Sequence, residues 1–222
     1  GDAIGIQAGV QSVADEMMLS LPEGVSVELV SARAELISGR LSLLVSNGLQ
    51  GLGLVVLLLF LFLYARTAIW VAAGIPVSML AAVAFMYATG MSLNMISLFA
   101  LIITLGIVVD DAIVVGEHAD YRFRHLGESP AEAAENAATR MGLPVFAASV
   151  TTISAFAGLT VIGGRFGDMI ADIPWTVIAV LIASLLECFL ILPNHMYHAL
   201  KGSAKEHWYD WPSRFVNRWF DW

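Results

Sequence analysis

From Leu41 to Val109 the chain carries one charged side chain, Arg66. A stretch of that length has no polar face to turn towards water, so it can fold only where its surroundings are apolar. Cut at its turn signals, it falls into pieces near the ~20 residues that cross a bilayer as a helix. Composition agrees: 58% hydrophobic residues and a mean hydropathy of +0.77 place the chain among integral membrane proteins. A net charge of −8 with no basic stripe excludes nucleic acid as a partner. The one cysteine, Cys188, makes no internal disulfide, and no Cys/His set has zinc spacing. Neither a metal nor another cofactor is expected.

Before the apolar region, residues 2–20 carry Ile6, Val10, Val13 and Met17 at helical spacing, continued by Leu21. Pro22-Glu23-Gly24 ends that helix, and Val25 to Val30 alternates as a strand does. A helix and a strand cannot bury a core alone, so residues 1–40 are expected to be the tail of an extramembrane α+β domain. Gly1-Asp2-Ala3 lacks an initiator Met and a basic lead-in, so no signal peptide is expected and the chain is read as a piece of a larger protein.

Residues 41–200 are expected to form an all-α membrane bundle of five spans, at about 41–64, 68–88, 91–115, 143–162 and 173–192. Pro76, Pro144 and Pro174 fall near helix starts, or where neighbouring helices re-satisfy freed backbone groups. Ser129-Pro130-Ala131-Glu132 has the capping-box pattern with Pro at the first helical position, so a polar helix should run from there to about Arg140. In residues 201–222, Trp208, Trp211, Phe215, Trp219 and Trp222 recur at helical spacing with Arg214 and Arg218 among them, which predicts a helix lying in the interface. Arg66, Arg122, Arg124, Arg140, Lys201, Lys205, Arg214 and Arg218 share one side of the five spans, against Arg33, Arg40 and Arg165 on the other. The first side is therefore cytoplasmic.

Near the end of the third span lie two consecutive acids, Asp110 and Asp111, followed by the apolar Ala112-Ile113-Val114-Val115. An ionised Asp at the centre of a spanning helix costs about 2.5–3.5 kcal/mol on insertion scales. Charge burial is a poor stabiliser, so a pair kept for packing alone is the weaker explanation. The two side chains point about 100° apart around the helix. Asp110 shares a face with Ile103, Gly106 and Val114, and Asp111 with Thr104, Val108 and Val115. Gly106 would permit a close helix approach beside the acids. Such a pair titrates as a unit, and moving a cation towards or away from it changes its proton occupancy. No Lys or Arg occurs inside any of the five spans, so the expected counter-cation lies outside this sequence. Glu187, in the fifth span, is expected near a helix end and so at the interface rather than on a proton path. Met79, Met86, Met91 and Met95 read as gap-filling side chains before they read as a soft-metal path.

Gly106 to Val115 around the Asp pair, followed by Glu117, closely resembles the fourth transmembrane helix of resistance-nodulation-division (RND) exporters. The resemblance is to their hydrophobe/amphiphile branch, inner-membrane pumps of the multidrug and acriflavine-resistance type. Leu21-Pro22-Glu23-Gly24-Val25, Gly74-Ile75-Pro76-Val77-Ser78, Gly90-Met91-Ser92-Leu93-Asn94, Leu143-Pro144-Val145 and Thr151-Thr152 extend it in order. Gly116, His118 and Ala157-Gly158 depart from the common pattern.

The resemblance implies a proton antiporter of the Gram-negative inner membrane, not an enzyme, with two similar six-helix halves. It implies Asp110 and Asp111 as proton-relay acids, opposed by a Lys from the second half of the same transporter. It further implies a homotrimer embedded in lipid, working with a periplasmic adaptor and an outer-membrane channel. An intramembrane aspartyl protease also needs two acids, but on separate helices and with a Gly-x-Gly-Asp signature that is absent before Asp110. A non-transporting RND-related accessory module usually lacks the doubled acid.

Overall fold

The computed structural model describes residues 3–22, 25, 27, 33–202, 210 and 213. The chain divides into two compact units, Gly1–Asn47 and Gly48–Trp222. In the first unit, α1 (Ala3–Met18) is the helix foreseen over 2–20. Its end is fastened by the Ser20 N–H and hydroxyl, which both donate to the Met17 carbonyl at 3.0 and 2.8 Å. Most of the strand expected over Val25 to Val30 lies outside the described residues, and so does all but Lys201, Gly202, Asp210 and Ser213 of the expected interfacial segment. A second helix, α2 (Arg33–Phe62), begins in this unit and ends in the next.

The described residues are all-α, with five helices long and apolar enough to cross a membrane. After α2 come α3 (Ala65–Ala88), α4 (Met95–His125), α5 (Pro130–Leu159), a short α6 (Gly164–Ile170), α7 (Asp172–Leu186) and α8 (Leu192–Lys201). Five residues in π geometry, Glu187–Ile191, join α7 to α8 without a break in the rod.

Local chemistry sets the starts. Asn94 accepts from the Ile96 and Ser97 amides at 2.8 and 3.0 Å, while its own N–H donates to the Ser97 hydroxyl at 2.8 Å. That reciprocal cap satisfies donors the first turn of α4 would otherwise leave open. The Asn94 side chain also donates to Asp172, fastening the start of α4 to the start of α7. At α5 the foreseen capping box forms: the Glu132 N–H donates to the Ser129 hydroxyl at 3.3 Å, and the Ser129 N–H to the Glu132 carboxylate at 3.1 Å.

Two spans run further than their apolar stretches indicate. The acid-bearing helix continues to His125, and α5 runs unbroken from Pro130 through Pro144 to Leu159, merging the polar helix with the fourth span. Pro144 removes one backbone donor, a loss the helix tolerates.

In the second unit α4 packs against α3, α5 and α7, and α3 and α5 pack against α8. The core there sets Leu, Val, Ile and Met side chains among small ones, including Ala68, Ala112, Ala119, Ala133, Ala137 and Ala199. Membrane helices associate by such close approach, because lipid tails compete equally for apolar contact. Gly116 belongs to this contact. A Cβ there would lie 2.9 Å from Val71 Cγ2 and 3.4 Å from Leu63 Cδ2, so its departure from the family pattern has a packing reason.

Candidate functional site

The capped, well-packed α4 carries both acids, and the 100° between them sends each into a different environment. Asp111 is half-buried and accepts a 3.0 Å hydrogen bond from the Ser149 hydroxyl of α5. Ser149 is itself 2% exposed, in line with the buried Ala134, Ala137 and Val145 along that helix. Thr104, two turns before Asp111, is buried too, but its hydroxyl is spent on the Ala100 and Leu101 carbonyls of its own helix. Asp110 points the other way. It is exposed among the described residues and lines an apolar groove of about 360 Å³ with Val55 and Leu58 of α2 and Ile103, Gly106 and Ile113 of α4.

Among the described residues neither acid forms an ion pair. The two ion pairs are Arg122 with Glu128 and Arg124 with Asp120. Both lie beyond the acids towards the end of α4, where the Arg124 guanidinium also stacks 3.5 Å from the Tyr64 ring centre. Glu128 falls between the apolar helices. Hydrogen bonds from Arg122 hold its carboxyl below the usual carboxylate range, and Asn136 adds a further bond at 3.2 Å.

Sequence reasoning placed Asp110 and Asp111 on one helix but did not find Ser149, because a lone Ser in an apolar helix has no spacing signal. Among the described residues nothing lies within 4 Å of a Cβ built on Gly106, which lines the floor of the groove. Glu187 requires a correction. It does not reach an interface but is 3% exposed, because the helix carries on past it through the π turn to Lys201. His195 lies against Trp70, ring centres 5.0 Å apart, as does His198 at 5.7 Å. Met86 is fully buried in the packing, the gap-filling role expected of it.

The family model of the AcrB/AcrD/AcrF proteins matches residues 1–222. The chain belongs to this family. Its relatives include the multidrug resistance protein MdtC of Escherichia coli O139:H28 (strain E24377A / ETEC), 33% identical over 191 residues. MdtC of Escherichia coli O1:K1 / APEC is similar to the same degree. Each match covers 85% of this chain and 18% of the relative, so the chain spans under a fifth of the length of these proteins. The RND resemblance carried by the doubled acid and its flanking segments thus holds for the whole chain.

Proposed function

We propose that this chain is membrane-embedded machinery of a proton-motive-force-driven RND efflux pump, with Asp110 and Asp111 as the proton relay for substrate/H⁺ antiport. The reading rests above all on the split environment of the two acids. Asp111 is held inside the bundle by Ser149, while its neighbour opens onto an apolar groove with room for a helix to approach. In the full-length transporter a Lys on a segment outside these residues enters beside Asp110 and neutralises the pair. Protons arriving at the acids release that cation, and the helices bearing the two groups separate. Each proton that falls through the membrane potential supplies about 2.3 kcal/mol per 100 mV. A shift between two packings is available for that energy only if the two states differ in their affinity for the proton. Here the difference is whether the Lys is present.

Multidrug export, the activity in the relatives' name, is the transport this coupling would drive. The pump would sit as a homotrimer in the inner membrane of a Gram-negative cell, joined to a periplasmic adaptor and an outer-membrane channel. In the full-length protein Asp110→Asn and Asp111→Asn should each abolish dye efflux while leaving insertion and abundance in the membrane at wild-type levels. Normal efflux by either variant refutes the relay.

A further inference from the structure

Glu187 lies in the one π turn among the described helices, Glu187–Ile191. It is 3% exposed, and its Oε1 has no hydrogen-bond partner among the described residues. The carboxyl occupies the space in front of Gly74 on α3. A Cβ built on Gly74 would lie 2.8 Å from Glu187 Cδ and 3.2 Å from its Oε2, so any side chain at 74 would push the carboxyl out of this place. Gly74 is about 14 Å along the axis from the first residue of α3 and about 21 Å from the last. Glu187 is therefore well inside a hydrocarbon core of ~30 Å.

Among the described residues no cation pairs with it. Of the elements packed against the π turn, α3 has Arg66 and Tyr87, far from Gly74 towards its two ends. The α4 helix offers Asp110 and Asp111, like charges, with its remaining titratable groups (Glu117, His118, Asp120, Tyr121, Arg122, Arg124 and His125) further along. On α5 stand Glu132, Glu135 and Arg140, on α7 Asp172, and on α8 His195, Tyr197, His198 and Lys201; Cys188 is adjacent in sequence. None of these forms a hydrogen bond or ion pair with Glu187 among the described residues. Removing an ionised carboxylate from water without a cation costs several kcal/mol, whereas the protonated acid carries no net charge. The protonated acid also has a hydrogen to donate. Pro76 cannot supply the helical N–H for the Ala72 carbonyl, which leaves an acceptor without its helical donor in the same turn as Gly74.

We propose that Glu187 is a proton-binding residue of this transporter, a carboxyl site on the α7–α8 rod separate from the Asp110/Asp111 pair. Binding one proton takes it from a carboxylate to a neutral acid seated against Gly74. Losing that proton forces the π turn and α3 to part or to admit water. π turns within helices are frequent at functional positions, where the widened backbone permits such a local change.

The test uses the full-length protein reconstituted in lipid and infrared titration of the protonated-carboxyl C=O band. Glu187→Gln should remove one such band, and the band should persist in the Asp110→Asn/Asp111→Asn double variant. That arm does not depend on the Asp relay, so it fails separately from it. A transport arm, which does rest on the proton-driven reading, follows efflux rate against pH, where Glu187→Gln should displace or abolish the wild-type profile. Should Glu187→Gln fail to assemble, Glu187→Asp, which withdraws the acid from Gly74, must shift the band. An unchanged carboxyl spectrum in the Glu187 variant, or an unmoved pH profile, overturns the proposal.

Discussion

Asp111 and Ser149 are 38 positions apart in sequence and meet through one hydrogen bond in the interior. A hydroxyl donating to a carboxylate contributes about 1.5–3 kcal/mol where the acceptor is charged. Deleting it leaves a half-buried acid short of a partner. Ser149→Ala in the full-length transporter should therefore slow proton-coupled dye efflux by roughly tenfold or more, given that about 1.4 kcal/mol corresponds to a factor of ten. An initial-rate assay at matched protein abundance decides this, and an unchanged rate would remove Ser149 from the site. The same scale shows what a linear sequence can carry. The doubled acid is visible because charge is rare in a span. Ser149 is invisible because its hydroxyl differs from an alanine only once its neighbour across the bundle is known.

Among the elements, one helix start is legible in the sequence and others are not. Ser129 announces its cap through side-chain type and spacing, whereas the third span is expected from Met91 and α4 begins only after the Asn94 cap. The sequence also divides α5 into two helices, because its composition changes from polar to apolar around Arg140 to Leu143. The backbone does not register that change. The π turn has a visible cause in Pro193, which cannot donate to the Phe189 carbonyl and whose ring would clash with it. The helix widens just upstream, with the Leu192 N–H bonding back to the Glu187 carbonyl. What periodicity could not give was the consequence, an acid turned onto Gly74.

Two element-scale predictions follow from contacts between helices. Gly116→Ala drives a methyl against Val71, a β-branched side chain with little rotamer freedom. Overpacking of this kind costs about 1–3 kcal/mol, read as a lowered Tm in detergent. At the α4–α5 connection, Glu128 is held below the usual carboxylate range by Arg122. A depressed folded-state value means that this contact stabilises the turn above the ordinary carboxylate range and is lost as pH falls through the folded value. The Leu126 and Glu128 amides both donate to the Arg122 carbonyl, at 3.2 and 3.4 Å. Their hydrogen-exchange protection, corrected for intrinsic rates, should fall in that acid window, and Glu128→Gln should lack the acid-dependent step.

At the scale of the whole molecule, the bundle has a closed side around Asp111 and an open one beside Asp110. Gly106 separates the two kinds of contact by experiment. A Cβ at Gly106 meets nothing within 4 Å among the described residues, so Gly106→Leu can direct its bulk into the groove and abundance and thermal stability should hold, but that bulk occupies the place where the opposing Lys segment is proposed to enter. Efflux should then fall severely with the protein still inserted. Retained efflux would mean that the groove is not where the cation arrives.

The most direct measurement is proton movement itself. Full-length protein in proteoliposomes, with a pH gradient imposed and lumenal pH followed by a trapped dye, should dissipate the gradient when an exported substrate is added. With Asp111→Asn or Asp110→Asn the gradient should persist at the rate of protein-free vesicles. Substrate-dependent proton flux surviving in either variant would contradict the account.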